Sequence, residues 1–503
     1  MAIKEINLFE FQKYTWDDLF QLLDLIHNDI QASFKIHFEE VIQIIWVDRY
    51  RHIPSDILYN PSESLDQRFF EVTNLFIKPR NYTGSIEFSF NSNYYRINIF
   101  PKIFNLPQFN YTQENYLSIQ YHVLWWLSEV TDILPPNYQQ SISEIDNGNI
   151  LDIYITLFSS FTLNILENDV YRYYNSVNDD IQTVKGQINF SKYINNYGQG
   201  NQHIINCDYD DFSIDNTFNQ IIKFVCLLLK EFTNNKKVLQ NLNDILFILD
   251  EVTDVEIIAS DCDKVVLNPI FTEYKVILDY CRLFLNGTNS YNKHHEYDVF
   301  ALIIPTEKLF EKLIRKFCSE INHENFRGVI TQRPGRNYLA KEILSNGSTE
   351  NRFKLINDII VKTINNHIII DTKYKLLHEL SKNNGIKQSD MYQMVSYAVS
   401  SGITKIKLLY PAKLKEKSKI IAKYDVDDLL GENKKISINA LVINIIHRDN
   451  LHIKLEQNLN DLFNSTKKEI LSDLEKILSL DYEYKIQESN TLDIAAEQKS
   501  DYN

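Results

Sequence analysis

Apolar positions recur at helical spacing in WDDLFQLLDLIHNDI, directly after Thr15, whose partner Asp18 completes a capping-box pattern. Residues 30–60 mix helical and alternating spacing and define no single element. From 68 to 104 the period shortens. RFFEVTNLFIKP, GSIEFSFNS and YYRINIFPKIF read as strand segments broken by Pro79, Gly84 and Asn91/Asn93, which predicts a small sheet or barrel. Helical spacing returns over 115–175, in YLSIQYHVLWWLSEVTDIL and ILDIYITLFSSFTLNILENDVYRYY. VKGQINFSKYI (184–194) is a short β or turn excursion. SIDNTFNQIIKFVCLLLKEF (213–232) is a helix with Asp215 near its start, and further helices run to about residue 285. LNGTNSYNKHHE (285–296) reads as a linker.

Helix and strand patterns then mix. TEKLFEKLIRKFCSE is an amphipathic helix and FRGVITQ a strand; FKLINDIIV and HIIIDTKY predict two strands paired through a short Asn-containing turn. SDMYQMVSYAVSSG predicts a helix with Ser389 as N-cap and Gly402 as stop, and KIKLLYP a closing strand. From about 455 an acidic helix precedes ESNTLDIAAEQKSDYN, whose composition predicts disorder. The fold class that follows is mixed α/β.

Composition alters this picture little; charge alters it more. Apolar residues make up 44% and charged residues 24% of the 503, an ordinary globular balance. The 30 Tyr and 29 Phe read as a coding bias. Five scattered cysteines without CxxC spacing exclude a zinc ribbon and a disulfide framework, and no apolar run is long enough to cross a membrane. With no leader-like N-terminal segment, reducing cytoplasm is the expected compartment. The net charge of −15 argues against a nucleic-acid binder, but residues 321–420 carry 17 Lys and Arg against 8 Asp and Glu. One basic module sits inside an acidic chain, and a polyanion meets local charge.

Candidate chemistry falls inside that module. Side chains alternate along a strand, so Asp371 and Lys373 share one side of HIIIDTKY. If the preceding strand pairs with it through residues 362–366, Asp358 meets Asp371 at one end of the sheet. Two carboxylates with a backbone carbonyl form a hard-oxygen site suited to Mg²⁺. A lysine beside them can orient or deprotonate water and stabilise charge on a phosphate, as phosphodiester hydrolysis requires. The acid-x-Lys tripeptide alone is common, recurring at Glu273, Glu432, Glu483 and Glu497. Those copies lack the preceding apolar strand and the upstream strand Asp. On the next helix Gln393 and Tyr397 lie four apart on one face, placed either to position a nucleic-acid strand or the lysine, or to pack with the Tyr in the core. His294 and His295 have no second ligand cluster, which excludes a zinc site. LLYPAKLKEKSK (408–419) is a basic run that reads equally as a phosphate contact or a solvated loop.

The combination NDIIV…IIIDTKYK…SDMYQMVSYA resembles the PD-(D/E)XK nuclease superfamily, and more closely the McrC subunit of McrBC-type restriction systems. EKLFEKLI (307–314), VKGQI (184–188), DFSIDNTFNQIIK (211–223) and GSIEFSFNSNYYRINIFPKI (84–103) resemble other parts of that family, so the resemblance covers roughly residues 70–415. It implies metal ligands at Asp358 and Asp371, a catalytic lysine at Lys373, and DNA positioning by Gln393 and Tyr397. Glu311 matches an acidic position that completes the metal site in the superfamily; the alternative is an ion pair with Arg315 at i+4. Asn357 stands where the family has Pro before the first Asp. The implied protein is a Mg²⁺-dependent DNA endonuclease subunit acting on modified double-stranded DNA. Its partner is an McrB-like AAA+ NTPase, since this chain has no GxxxxGK[ST] loop of its own. The implied layout is an extension (1–65), a β-rich motor-docking region (66–115), a mainly helical middle (116–290), a nuclease domain with a central mixed sheet flanked by helices (297–440), and an acidic helical tail (441–503). The alternatives are a nuclease-inactive regulator of an AAA+ protein, or a stand-alone nuclease.

Overall fold

The computed structural model describes residues 3–47, 68–131, 150–267, 272–287, 299–321, 326–330, 338–343, 348–355, 357–363, 367–378, 381–427, 435–447, 451 and 459–478. The chain forms two compact units, Met1–Leu309 with Leu451–Leu459, and Phe310–Asn450 with Asn460–Asn503. The mixed α/β class expected from the sequence is what folds.

The first unit is organised by β1 (Ile3–Phe9), β2 (Tyr14–Thr15), β3 (Phe70–Val72), β4 (Phe76–Pro79), β5 (Tyr82–Phe90), β6 (Asn93–Phe100), β7 (Tyr173–Ile181), β8 (Gln187–Ile188), β9 (Ile205–Ser213) and β10 (Val299–Pro305). One sheet has the order β1-β6-β5-β10, with β1 parallel to β6 and the other pairs antiparallel. Two small sheets have the orders β2-β4-β3 and β7-β9-β8. The Thr15–Asp18 capping box forms as expected and starts a short helix. Residues 28–47, without a clear period in the sequence, form a helix whose Phe34 packs on Phe88, Phe90 and Tyr95 with ring centroids 5.9, 5.4 and 5.2 Å apart. The abundant aromatics thus build a core, which coding bias alone would not require.

Gly84 was expected to break a strand; it lies inside β5. Its φ of +141° and its approach to β10 require glycine, because a Cβ there would sit 2.0 Å from the Leu302 carbonyl oxygen. Gly84→Ala is expected to cost about 2 kcal/mol or more, read as a lower urea midpoint with an unchanged m-value. The real break is the turn at Asn91 and Ser92, both left-handed (φ 48° and 61°), as a two-residue hairpin demands. Likewise VYRYY, expected to prolong a helix, leads into β7, because the helix ends at Asn168.

Behind β5 and β6 lies a buried charge cluster. Arg96 donates from Nε to Glu87 Oε1 at 2.5 Å and from Nη1 to Asp152 Oδ2 at 3.1 Å. Burial, then the nearby Asp152 and Glu5, push the Glu87 carboxyl up to about 7 against the pull of Arg96. Between its ordinary 4.5 and that value, the folded chain keeps a proton that the unfolded chain releases. Stability from this group therefore falls as pH rises through that window. Relative to Glu87→Gln, the wild-type urea midpoint is expected to drop between about pH 5 and about pH 7.

The second unit contains β11 (Phe326–Ile330), β12 (Tyr338–Ile343), β13 (Thr349–Lys354), β14 (Ile359–Thr363), β15 (His367–Thr372), β16 (Lys405–Pro411), β17 (Lys419–Val426) and β18 (Ile436–Ile443). A six-stranded mixed sheet runs β11-β14-β15-β16-β18-β17, while β12 and β13 form a separate ribbon. The strand read from FKLINDIIV is really two pieces: Phe353 and Lys354 end β13, and β14 begins only at Ile359. KIKLLYP does not close the sheet, because β18 adds parallel to it and β17 antiparallel beyond. The helix Gln388–Ser401 carries the chain from β15 to the parallel β16 and packs Met394, Tyr397 and Ala398 on Ile369, Ile406, Leu408 and Tyr410. It ends at Gly402 in the left-handed conformation as expected, but its N-cap is Lys387 in place of the expected Ser389. A helix, Leu459–Leu478, ends the described chain. The linker expected at 285–296 lies mostly, and the tail at 488–503 wholly, outside the described residues.

Candidate functional site

β15 is buried on both faces, as its unbroken Ile-Ile-Ile run requires, and it lies between β14 and β16. The β14–β15 hairpin pairs Ile359 with Ile370, Ile360 with Ile369 and Val361 with Ile368. That register brings Asp358 opposite Asp371, as the sequence spacing anticipated. The backbone N–H of Lys373 donates to Leu409 O at 2.8 Å and extends the β15–β16 ladder past the last strand residue.

Asp371 is fully buried. Its Oδ2 forms an ion pair with Lys373 Nζ at 2.6 Å, yet neither carboxylate oxygen has a hydrogen bond of good geometry among the described residues. The contact is therefore chiefly Coulombic, and Oδ1 has no partner among the described residues. Burial and the neighbouring Asp358 raise the Asp371 carboxyl to about 8, against the pull of Lys373. Burial alone would weaken the Lys373 charge, but Asp371 and Asp358 outweigh it and hold that ammonium above its ordinary range. Asp358 is oriented by Thr372, whose backbone N–H and Oγ1 donate to its Oδ2 at 2.8 and 2.9 Å.

Arg315 Nη2 donates to Glu311 Oε1 at 3.1 Å and to the Asp358 carbonyl, joining the helix Thr306–Glu320 to the start of β14. Glu311 is buried and engaged in the i+4 pair. Among the described residues, no three His, Cys, Asp or Glu side chains are grouped to hold a metal ion. On the other flank Gln393 Nε2 donates to Tyr397 Oη at 2.6 Å. Tyr397 is buried, and its phenol is pushed well above its ordinary range by burial and then by Asp371 and Asp358. Its ring is core, and its hydroxyl, bonded by Gln393, lies in the field of the two carboxylates.

Other residues at the site were not singled out from the sequence. Lys375 Nζ bonds both Asp390 oxygens at 2.9 Å, tying the chain after β15 to the first turn of the following helix. The buried Tyr410 hydroxyl has no hydrogen-bond partner among the described residues and lies in the field of Asp390 and Asp371. The available signal was the repeated lysine of DTKYK beside the acid of SDMYQ. Asp390→Asn is expected to loosen this brace and lower the thermal midpoint by about 2–4 °C, the scale of 1 kcal/mol in a domain this size, measured by scanning calorimetry.

An orphaned, dehydrated carboxylate oxygen beside a second carboxylate fits a divalent cation. Two protein carboxylates suffice for Mg²⁺, which keeps several waters. Asp358 and Asp371 would hold the ion, while Glu311 is committed to Arg315.

The sheet and this hairpin define a mixed α/β protein in which two carboxylates and a lysine meet at one end of a central strand pair. Residues 77–411 match the family described as McrBC 5-methylcytosine restriction system component, and the chain belongs to that family. No curated protein matches the sequence. The chain is similar to a solved structure described as the refined half-complex from a tetradecameric assembly of Thermococcus gammatolerans McrB AAA+ hexamers with bound McrC. The identity is 15% and the TM-score 0.64, over 94% of this chain and 100% of that one. It also matches a cryo-EM structure of the Thermococcus gammatolerans McrBC complex at 15% identity and a TM-score of 0.48, over 64% of this chain and 89% of that one. At this identity the first of these speaks to fold. Among the described residues no helix is long and apolar enough to cross a membrane.

Proposed function

We propose that this chain is the DNA-cleaving, McrC-like subunit of an McrBC-type restriction system, acting with an McrB-like AAA+ NTPase on modified double-stranded DNA. The observation that carries the reading is the buried Asp371, unsatisfied except by Lys373 and set against Asp358. Mg²⁺, when bound, supplies a Lewis acid for the scissile phosphate and makes water a better nucleophile. The chain's own residues do the rest. Asp358, fixed by Thr372, and Asp371 bind the ion. Lys373 stabilises negative charge developing on the phosphate. Gln393 and Tyr397 position the lysine end of the site, Tyr397 acting from within the core. The Glu311–Arg315 pair sets the entry of β14. Family membership and the similarity to an McrB–McrC assembly support the AAA+ partner, and the β-rich region at 66–115 is the proposed docking piece.

The test combines the full chain with its cognate AAA+ protein, nucleotide, Mg²⁺ and methylated DNA, with Asp371→Ala as the control. Partner-dependent cleavage by the wild type, lost in Asp371→Ala, supports the reading, and cleavage without the partner would make the chain a stand-alone nuclease. Cleavage surviving in Asp371→Ala overturns the site. Acceleration of nucleotide hydrolysis without any cleavage would make the chain a regulator only.

A further inference from the structure

The face of the six-stranded sheet opposite the Gln388–Ser401 helix carries a second cluster. Ile406, Leu408 and Tyr410 pack toward that helix, so Lys405 and Lys407 project from the other face. Lys407 pairs with Asn439 on β18, and Asn439 pairs with Lys423 on β17, which makes one lateral row across three strands. Lys405 sits beside Ser437 in the neighbouring row. These five polar residues line a cavity of about 180 Å³, partly closed by Ile477 and Leu478 of the last helix.

Two of its lysines are not balanced from within. Lys405 and Lys407 make no ion pair or hydrogen bond among the described residues. Asp425, exposed on β17 opposite Ser437, pairs with neither. Burial, then repulsion by Lys423 and Lys405, lowers the Lys407 pKa to about 8. Asn439 Oδ1 is buried without a donor, and a half-turn of that carboxamide would present its N–H to an anion instead. Converging ammonium groups around a recess normally meet an opposing charge. The volume equals roughly six waters of liquid, which suits a phosphate group and excludes a duplex.

We propose that this cavity binds a small phosphate-bearing anion, either free phosphate or a mononucleotide, at a site separate from the Asp358/Asp371/Lys373 centre on the opposite face. Lys407 and Lys423 clamp the phosphate oxygens from two sides of Asn439, and Lys405 adds a third charge. The proposal does not depend on the chain being a nuclease.

The test is isothermal titration of the full-length chain without Mg²⁺, using inorganic phosphate, GMP and a short duplex in turn. Saturable binding of phosphate or GMP is expected, at least about tenfold weaker in Lys407→Met and in Lys423→Gln and unchanged in Asp371→Asn. Lys423 is exposed, so its variant folds even if the change at the half-buried Lys407 does not. Phosphate and GMP binding alike assigns free phosphate; much tighter GMP binding assigns a nucleotide. No saturable binding of either, equal binding in both lysine variants, or binding of the duplex alone through these lysines overturns the proposal.

Discussion

Asp371→Asn is expected to abolish DNA cleavage in the assembled system, with a loss of at least about 100-fold, since even outer-shell partners of metal ligands cost 10–100-fold when changed. The substitution keeps the shape of the side chain, and the residue sits fully buried between strands, so the fold is retained. What disappears is an anionic oxygen that has no partner among the described residues. A second readout separates this from a packing effect. Mg²⁺ is expected to raise the thermal midpoint of the wild type and not that of the variant, because a ligand stabilises only the state that binds it. A variant that still gains stability from Mg²⁺ would mean that the ion binds elsewhere.

Lys373→Met is expected to have a comparable effect on cleavage, about 100- to 1,000-fold, as when one preorganised charge-stabilising donor is removed. Its effect on the ion should have the opposite sign. Among the described residues Lys373 Nζ is the cation paired with Asp371, through Oδ2, and its removal frees that oxygen as well. Mg²⁺ affinity should therefore hold or rise while turnover falls. Retained cleavage with weakened Mg²⁺ binding would show that Lys373 organises the carboxylates and does not act on the phosphate. Methionine keeps an unbranched stem of similar length without the charge, so the change is chiefly electrostatic.

The heart of the site was readable because it is local. Period-two alternation fixed Asp371 and Lys373 on one side, and a short connection forced the hairpin register that meets Asp358. The helix after it, with Gln393 and Tyr397 one turn apart, followed from spacing alone. What escaped was non-local or ambiguous in period. β1 pairs with β6 more than 80 residues later, and nothing near Ile3 announces a parallel neighbour. Gly84 reads as a breaker in isolation, and only the close approach of β10 makes it a strand residue. The role of Arg315 depends on a carbonyl 43 residues away. KIKLLYP alternates charge and aliphatic side chains in the manner of any half-solvated edge strand. Its lysines face a recess only because β18 and β17 add beyond it and the last helix lies nearby.

The path of the chain near its end has a practical consequence for anyone preparing fragments. Leu451 is buried in the first unit, its carbonyl accepting a hydrogen bond from Asn115 Nδ2 at 2.7 Å. The chain then rejoins the second unit, where the helix Leu459–Leu478 buries Phe463, Ile470 and Leu474 and Lys467 pairs with Glu320 at 2.8 Å. The sheet-bearing unit is thus interrupted in sequence, and a clone stopped at residue 450 would omit one of its own walls. During synthesis, the ribosome must read through to about Leu478 before that wall can close. A chain ended upstream lacks the buried Phe463, Ile470 and Leu474 that this helix contributes.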